Sequence, residues 1–130
     1  MEDWKIQVAV LWLIDTGVAL ISSVGQLYLP NAIQQLLTTG VINGIETSPE
    51  VLFLLAVLLL VPLLMAFVTF VLQDSVNRWS NIVVGVVFFV IELLELSDLV
   101  ARPSAAMTLI WLWKTVVPLL IVWYAWKSKH

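Results

Sequence analysis

Four stretches of the chain are mostly apolar, and each is about as long as a helix that crosses a lipid bilayer. They cover about residues 5–28, 50–72, 79–100 and 105–126. A spanning helix needs about 20 apolar residues, because the hydrocarbon layer is about 30 Å thick and a helix rises about 1.5 Å per residue. Backbone polar groups find no water in hydrocarbon, so each stretch is expected to be helical. The pattern predicts an all-α fold, an integral membrane up-down four-helix bundle that forms a single domain over residues 1–130.

The link between the first two predicted helices, residues 29–49, is longer than the other links. Within it Ile33, Leu36 and Leu37 fall on one side of a short helix. This spacing is typical of an interfacial helix that lies on the membrane surface, and we predict one over residues 31–38. An irregular loop with a few apolar residues is the alternative that the same pattern leaves open.

Residues typical of helix ends agree with this division. Ser48, Pro49 and Glu50 stand in the order cap, proline and acid that is common at a helix N-terminus. Asp74 or Ser75 is expected to cap the third helix. The links on either side of that helix are very short, which predicts that helices two and three, and three and four, are antiparallel neighbours.

The composition indicates that lipid replaces water as the solvent of this chain. Of its 130 residues 62% are hydrophobic and 12% are charged, whereas a soluble domain has about 25% charged residues. A soluble domain of this size buries too small a fraction of its surface to hide so many apolar side chains. The net charge is −3, and the basic residues form no stripe, so nucleic acid is not expected as a partner. The expected partner is the lipid bilayer.

The basic residues near the helix ends predict the orientation. Lys5, Arg78, Lys127 and Lys129 fall on the side that holds both termini, and Arg102 falls on the other side. The positive-inside rule then places both termini in the cytoplasm, with the chain as a multi-pass protein of the plasma or inner membrane. Tryptophans favour membrane interfaces, and four are expected at the inner one: Trp4, Trp79, Trp123 and Trp126.

Four ionisable residues lie within the predicted spans: Asp15, Glu92, Glu95 and Lys114. A charge in mid-membrane costs about 2.5–3.5 kcal/mol on insertion scales, so these side chains should face the bundle interior or water. The helical rise places Asp15, Glu92 and Lys114 near one level, with Glu95 one turn further out. Side chains from three helices are therefore expected to converge.

Other polar and aromatic residues share the helix faces of these charges. Five are expected to support or line the site: Ser22, Gln26, Asn81, Trp111 and Thr115. Helical spacing places the first two on the face of Asp15, Asn81 on that of Glu92, and the last two on that of Lys114. The same positions are also typical of ordinary helix packing.

The charges do not balance, because Asp15, Glu92 and Glu95 face the single base Lys114. One lysine directly balances one carboxylate, so the other acids must be protonated, hydrated or paired with a ligand cation. This predicts a site that binds ions or a solute. The alternative is structural, with a pair between Lys114 and Glu92 or Glu95 that fixes the register of two helices.

Most other chemistry is absent from the sequence. There is no cysteine, and the single histidine is the last residue, His130. No Ser/His/Asp group, glycine-rich phosphate loop or zinc motif occurs, and no loop motif supports a carboxylate site for Mg²⁺ or Ca²⁺. We therefore expect no catalytic residues, no metal site, no cofactor and no enzyme activity.

The segment from Asp74 to Asn81, followed by Gly85, resembles the hairpin between helices two and three of small prokaryotic four-helix integral membrane proteins of unknown function. The stretch from Trp4 to Asp15 and the apolar run around Pro62 are similar too, so the resemblance covers most of the chain. It implies a four-helix membrane fold and no particular activity.

In length and layout the chain is also similar to small multidrug-resistance transporters. They too have four spans and an acid in helix one, which is the position of Asp15. Their sequence motifs are not visible in this chain, and Lys114 with two acids on helix three departs from their pattern. The similarity supports transport at the level of layout alone.

Three functional hypotheses follow. The first is a small transporter or channel-like protein for protons, cations or a small polar solute, in which the three acids bind the charge and Lys114 tunes or gates them. A bundle of four helices encloses little room, so such a pathway would call for a homo-oligomer. The second is a non-catalytic membrane binding or assembly subunit whose buried charges are structural. The third is a receptor for a lipophilic amine, with Glu92 as its counter-ion and Trp111 as a wall.

Overall fold

In the computed structural model, which describes residues 3–29, 31–42, 45–101 and 104–128, the chain forms four long helices, two short helices and one small hairpin. In chain order these are α1 (Asp3–Leu27), α2 (Ala32–Thr39), β1 (Val41–Ile42), β2 (Ile45–Glu46), α3 (Pro49–Val71), α4 (Asp74–Leu94), α5 (Leu96–Ala101) and α6 (Ala105–Lys127). The predicted all-α class is confirmed, since each strand of the hairpin has two residues. Three residues named above lie outside the described ones: Arg102, Lys129 and His130.

The ends of α2 and α3 follow from local backbone chemistry. The Ser48 side chain accepts a hydrogen bond from the Val51 N–H at 3.2 Å, with Pro49 as the first helical residue. Gly40 ends α2 in the left-handed conformation, with φ of 70°, and its N–H donates to the Leu36 carbonyl at 3.0 Å. Glycine suits this position because it has no Cβ to clash. The link after α1 therefore contains a helix that starts and ends close to the predicted residues.

The third predicted helix, 79–100, differs most from its prediction. Its helical residues begin at Asp74, and the helix ends at Leu94 before a turn at Glu95 and the short α5. Gln73 is the N-cap and makes no side-chain cap bond, so the expectation that Asp74 or Ser75 caps the helix was wrong. The helix starts earlier because the polar side chains of its first two turns bond to α3 and α6.

Three of the described helices are long and apolar enough to cross a membrane: α1, α3 and α6. Helix α4 has 21 residues and is not among them. It carries five strongly polar residues, which lower its hydropathy: Asp74, Asn77, Arg78, Asn81 and Glu92. Helices α1, α3 and α6 therefore indicate association with a membrane.

The outer surface of α3 is apolar along its length. Phe53, Phe67 and Val71 are 72%, 66% and 63% exposed, and leucines lie on the same surface between them. A contiguous apolar surface of this extent is unfavourable in water. It is favourable against lipid chains, which are themselves apolar.

The long helices pack mainly around α1 and α6. Helix α1 lies along α3 and along α6, and α6 also lies along α4. Helices α3 and α4 are close over only a short stretch, although residues 72–73 alone connect them. This differs from the expected close packing of that pair, because Trp12 of α1 reaches α4 and contacts Asn81 and Phe88.

Polar contacts hold several helix ends together at one end of the bundle. The Lys5 ammonium lies 2.6 Å from the Asp74 carboxylate, which joins the start of α1 to the start of α4. The Arg78 guanidinium donates from Nε to the Ala125 carbonyl and from Nη2 to the Trp126 carbonyl, each at 3.1 Å. A positive charge beside the last carbonyls of α6 also interacts favourably with the helix dipole.

The packing of α4 against α6 depends on Gly85, and we expect Gly85→Ala to destabilise the protein. An added Cβ would lie 2.7 Å from Cγ2 of Val122, whose branched side chain has little freedom to move away. Overpacking of this kind costs about 1–3 kcal/mol. Thermal unfolding of the detergent-purified variant should show a lower midpoint than the wild type.

Gly17→Ala is the matched control for this prediction. Gly17 is also in a helix, and an added Cβ there meets nothing within 4 Å. Because alanine is the better helix former by about 0.5–1 kcal/mol, this variant should be as stable as the wild type or more so. Equal midpoints for the two variants would contradict close α4–α6 packing at Gly85.

Candidate functional site

Lys114 of α6 is at the centre of the charged residues. Its Nζ lies 3.1 Å from Oε2 of Glu95, with hydrogen-bond geometry, and 3.5 Å from Oε2 of Glu92. The Lys114 and Glu92 side chains are 13% and 6% exposed, whereas Glu95 is 45% exposed. One ammonium group therefore bridges a buried carboxylate and a carboxylate at the surface of the bundle.

The Glu92 carboxylate is incompletely satisfied. Its Oε2 is buried and has no hydrogen-bond partner among the described residues, and the ion pair with Lys114 is its closest charged contact there. A buried acceptor without a hydrogen bond costs free energy, more so when it is charged. A buried atom of this kind marks a place where a proton or a ligand donor would be stabilising.

Asp15 brings α1 into the same cluster. Its side chain is buried, with 4% of the residue exposed, and it interacts electrostatically with Lys114 and Glu92. The described residues give it no side-chain hydrogen bond. The ion pairs join Lys114 to Glu92 and Glu95, and Asp15 on α1 is within electrostatic range of Lys114 and Glu92. We call these four residues the charged cluster.

The backbone is irregular where the charged cluster lies. The Glu95 N–H donates to the carbonyls of Ile91 and Glu92, each at 3.2 Å, as the chain turns from α4 into α5. The Trp111 indole Nε1–H donates to the same Glu92 carbonyl at 2.8 Å. Trp111 thereby satisfies a carbonyl that an uninterrupted helix would have paired with a later N–H.

The α6 side of the charged cluster has a second backbone irregularity. Pro118 lies inside α6, four residues after Lys114. Proline has no N–H, so the Lys114 carbonyl cannot receive its usual helical hydrogen bond from that position. Both helices that supply the ion pairs therefore have a modified hydrogen-bond ladder at the cluster.

The other predicted site residues have different surroundings. Thr115 donates to the Trp111 carbonyl within its own helix at 2.8 Å. Ser22 is buried on α1 and Gln26 is partly buried near the end of that helix. Trp111 is the predicted supporting residue that the structure places directly against the charged cluster.

Asn81 belongs to a separate, uncharged network nearer the end of the bundle that holds Lys5 and Asp74. Its Oδ1 accepts from Trp12 Nε1 at 2.6 Å and from Thr69 Oγ1 at 3.3 Å, and its Nδ2 donates to Asn77 Oδ1 at 2.7 Å. The Asn77 side chain also donates to the Thr69 carbonyl at 2.6 Å. All four residues are fully buried, so we call them the buried amide network.

Sequence reasoning did not assign Trp12, Thr69 and Asn77 to one network. Two signals were present, because Asn77 and Asn81 are four residues apart on one helix face and Trp12 is one turn from Asp15. The contact between Trp12 and Asn81 joins positions 69 residues apart, so spacing along the chain does not reveal it.

Two aromatic rings lie next to the buried acids, and one of them, Trp12, belongs to the buried amide network. Trp12 and Phe88 meet edge to face, with ring centroids 5.8 Å apart and planes at 73°. Trp12 is three residues before Asp15, and Phe88 is four residues before Glu92. Each ring therefore lies about one helical turn from a buried acid, and both rings are buried.

The carboxylates are not arranged to hold a metal ion. Among the described residues, no group of three or more histidine, aspartate, glutamate or cysteine side chains could hold one. Calcium and magnesium need several oxygens at about 2.0–2.6 Å around one point. The charged cluster instead presents separate carboxylates around one ammonium group.

Comparison of the chain with protein-family models, curated proteins and solved structures found no match.

The indole hydrogen bond of Trp111 should contribute to the stability of the α4–α6 pair. Trp111→Phe keeps an aromatic ring but removes the N–H that satisfies the Glu92 carbonyl, and we expect a loss of about 1 kcal/mol. Trp113→Phe on the same helix is the control, because its side chain is 55% exposed. Thermal unfolding in detergent should show a lower midpoint for the first variant than for the second, and the reverse order would contradict this role.

Proposed function

We propose that the chain is an integral protein of the cell membrane, an up-down bundle with four antiparallel spans formed by α1, α3, α4 continued by α5, and α6. The apolar outer surfaces of α1, α3 and α6 support contact with lipid. The packing of α4 along α6, with Asn77 and Asn81 buried, supports α4 as the fourth span. In this arrangement the polar face of α4 is hidden from lipid.

The proposed orientation places both termini in the cytoplasm. The contacts of Lys5 with Asp74 and of Arg78 with the last turn of α6 support a common end for the start of α1 and the end of α6. The Trp79 and Trp126 rings pack edge to face beside Arg78, which is the aromatic and basic character expected at an inner interface.

Cysteine labelling tests this topology, because the natural chain contains no cysteine. Thr38→Cys places a thiol on α2, and Lys127→Cys places one at the end of α6; both positions are exposed. A membrane-impermeant maleimide should label the first variant in intact cells and the second only after the membrane is opened. The wild type is the unlabelled control. Labelling of both variants in intact cells, or the reverse pattern, would contradict the orientation.

We propose that the protein is a small transporter that carries protons, small cations or a small polar solute through the charged cluster. The observation that carries this proposal is the surplus of acids around Lys114, with Glu92 Oε2 buried and without a hydrogen bond. An ionisable group that is buried within a span and incompletely paired is typical of proton and ion pathways. The proposal includes no catalytic residue and no cofactor.

The aromatic pair of Trp12 and Phe88 supports a carrier mechanism over an open channel. The two rings are buried about one helical turn from Asp15 and Glu92, on the side toward the buried amide network, while Glu95 is half exposed. A site that is open on one side and closed on the other fits alternating access. The full pathway then requires a change in packing or a second copy of the chain.

Reconstitution into vesicles that contain a pH-sensitive dye tests this function. With a proton gradient imposed, wild-type protein should dissipate it faster than protein-free vesicles, with or without an external monovalent cation. Glu92→Gln and Asp15→Asn should insert normally and reduce the rate to that of protein-free vesicles, because each removes an ionisable group of the charged cluster. Fluorescence of the trapped dye measures the rate.

Glu50→Gln is the matched control, because Glu50 is an exposed acid in the first turn of α3, away from the charged cluster. It should transport like the wild type. A wild-type rate no greater than that of protein-free vesicles would exclude proton and monovalent cation transport. Equal losses in the Glu50 and Glu92 variants would show that the cluster has no special role.

The second candidate function is a binding or assembly subunit whose buried charges are structural. Three contacts with α6 support it. The side chains of Glu92 and Glu95 form ion pairs with Lys114, and the Glu92 carbonyl accepts a hydrogen bond from Trp111. Removing one partner of a buried pair costs about 3–5 kcal/mol, whereas replacing both with apolar residues is often neutral. Under this alternative the double variant Lys114→Met with Glu92→Leu keeps both fold and function; under the transporter proposal it folds but does not transport.

A further inference from the structure

The charged cluster has more hydrogen-bond acceptors than donors. Asp15, Glu92 and Glu95 present carboxylate oxygens, and Lys114 Nζ donates to Glu95 at 3.1 Å and lies 3.5 Å from Glu92. The Trp111 N–H is occupied by the Glu92 carbonyl. Two buried carboxyl groups, on Asp15 and Glu92, therefore have few donors within the part of the chain that the structure describes. What the site lacks is N–H or O–H donors.

The chemistry of the charged cluster excludes two classes of ligand. An anion would meet three acids and a single base. A divalent metal would need carboxylates that converge on one point, and the described residues do not provide such a group. The shortage of donors beside negatively charged acids favours the proton or a monovalent cation that brings its own hydrogen-bond donors.

The position of Lys114 indicates which chemical group such a cation would carry. Its primary ammonium group, with three N–H donors, lies between Glu92 and Glu95 but nearer Glu95, at 3.1 Å against 3.5 Å. Oε2 of Glu92 has no hydrogen bond, and Asp15 is more than nine-tenths buried with no described side-chain hydrogen bond. A second ammonium group would supply the hydrogen-bond donor that Glu92 Oε2 lacks, while Lys114 stays with Glu95.

We infer that the ligand of the charged cluster is an ammonium-type cation, either ammonium itself or a small primary amine, and that Lys114 is a tethered competitor for the same carboxylates. This inference rests on the proposed function and narrows its substrate class. Lys114 then sets specificity and affinity, because a tethered group competes at an effective concentration of millimolar order or above.

The shape of the site fits entry from one side. Glu95 is half exposed at the turn between α4 and α5, and its carboxylate is the first acid that an approaching cation would meet. Glu92 and Asp15 lie deeper, with the Trp12 and Phe88 rings buried about one helical turn from them. A small ammonium ion can pass from Glu95 to Glu92 as Lys114 shifts between the same two carboxylates.

Thermal unfolding of the full detergent-purified chain tests this inference, at one fixed pH near neutrality and at constant ionic strength. The probes are the chlorides of ammonium, methylammonium, tetramethylammonium, sodium and magnesium. Ammonium and methylammonium should raise the unfolding midpoint in a saturable way. Tetramethylammonium carries the same charge without N–H donors, so it should have no effect beyond that of sodium.

Three variants locate the effect. Glu92→Gln should abolish the shift caused by methylammonium. Lys114→Met should lower the half-saturating concentration by about tenfold or more, because the tethered competitor is gone. Lys127→Met is the matched lysine control, at the exposed end of α6, and should respond like the wild type. If Lys114→Met requires an added cation to fold, folding that is restored by methylammonium and not by tetramethylammonium also supports the inference.

The overturning results differ from those that would overturn the proposed function. Equal stabilisation by sodium, tetramethylammonium and methylammonium, or a methylammonium shift that survives in Glu92→Gln, excludes the ammonium site. So does a Lys114→Met variant that responds like the wild type. If these results occur while Glu92→Gln still abolishes proton movement in vesicles, the transporter stands and its ligand is the proton. If vesicle transport is absent but the ammonium shift is present, the charged cluster binds without transport.

Discussion

The ion pairs of Lys114 with Glu92 and Glu95 offset the unfavourable burial of charge inside an apolar bundle. They also join α4 and the turn that follows it to α6. Asp15, Glu92 and Glu95 cannot all be paired with one base, and two of them, Glu92 and Glu95, share the ammonium group of Lys114. Trp111 reinforces this contact by bonding the Glu92 carbonyl where α4 ends. The buried charges, the end of α4 and the packing of α4 against α6 therefore depend on contacts in the same place.

The interior contains two groups of polar residues, the charged cluster and the buried amide network, and Trp12 of the second packs against Phe88. The buried amide network satisfies its own donors and acceptors through Asn77, Asn81, Thr69 and Trp12, as a stable buried polar network must. The charged cluster does not, since Glu92 Oε2 has no hydrogen bond among the described residues. A satisfied network fixes structure, whereas an unsatisfied one is available to a proton or a ligand. This contrast is why the proposed function is assigned to the charged cluster.

Helix α4 shows how far hydropathy predicts this architecture. Its polar residues lower its hydropathy, so α1, α3 and α6 stand out as membrane-crossing helices and α4 does not. In the structure those polar residues point to other helices: Asn77 and Asn81 toward α3 and α1, Arg78 toward the end of α6, and Glu92 toward Lys114. The helix can therefore lie in lipid with its apolar face outward, although its sequence as a whole is less apolar.

The sequence by itself determined the helical class, the ends of α3 and the proximity of Lys114 to Glu92 and Glu95. These features depend on local periodicity, on capping chemistry and on the depth of each residue along its helix. That depth follows from the residue number, because the rise per residue of a helix is fixed. Only the tertiary structure decided that α4 breaks at Glu95, that Asn81 joins Trp12 and not the charges, and that α3 and α4 diverge. Those outcomes depend on contacts between residues far apart in the chain. Such contacts depend on how each helix is rotated about its axis and on how far the side chains extend. The spacing of residues along one helix does not predict either.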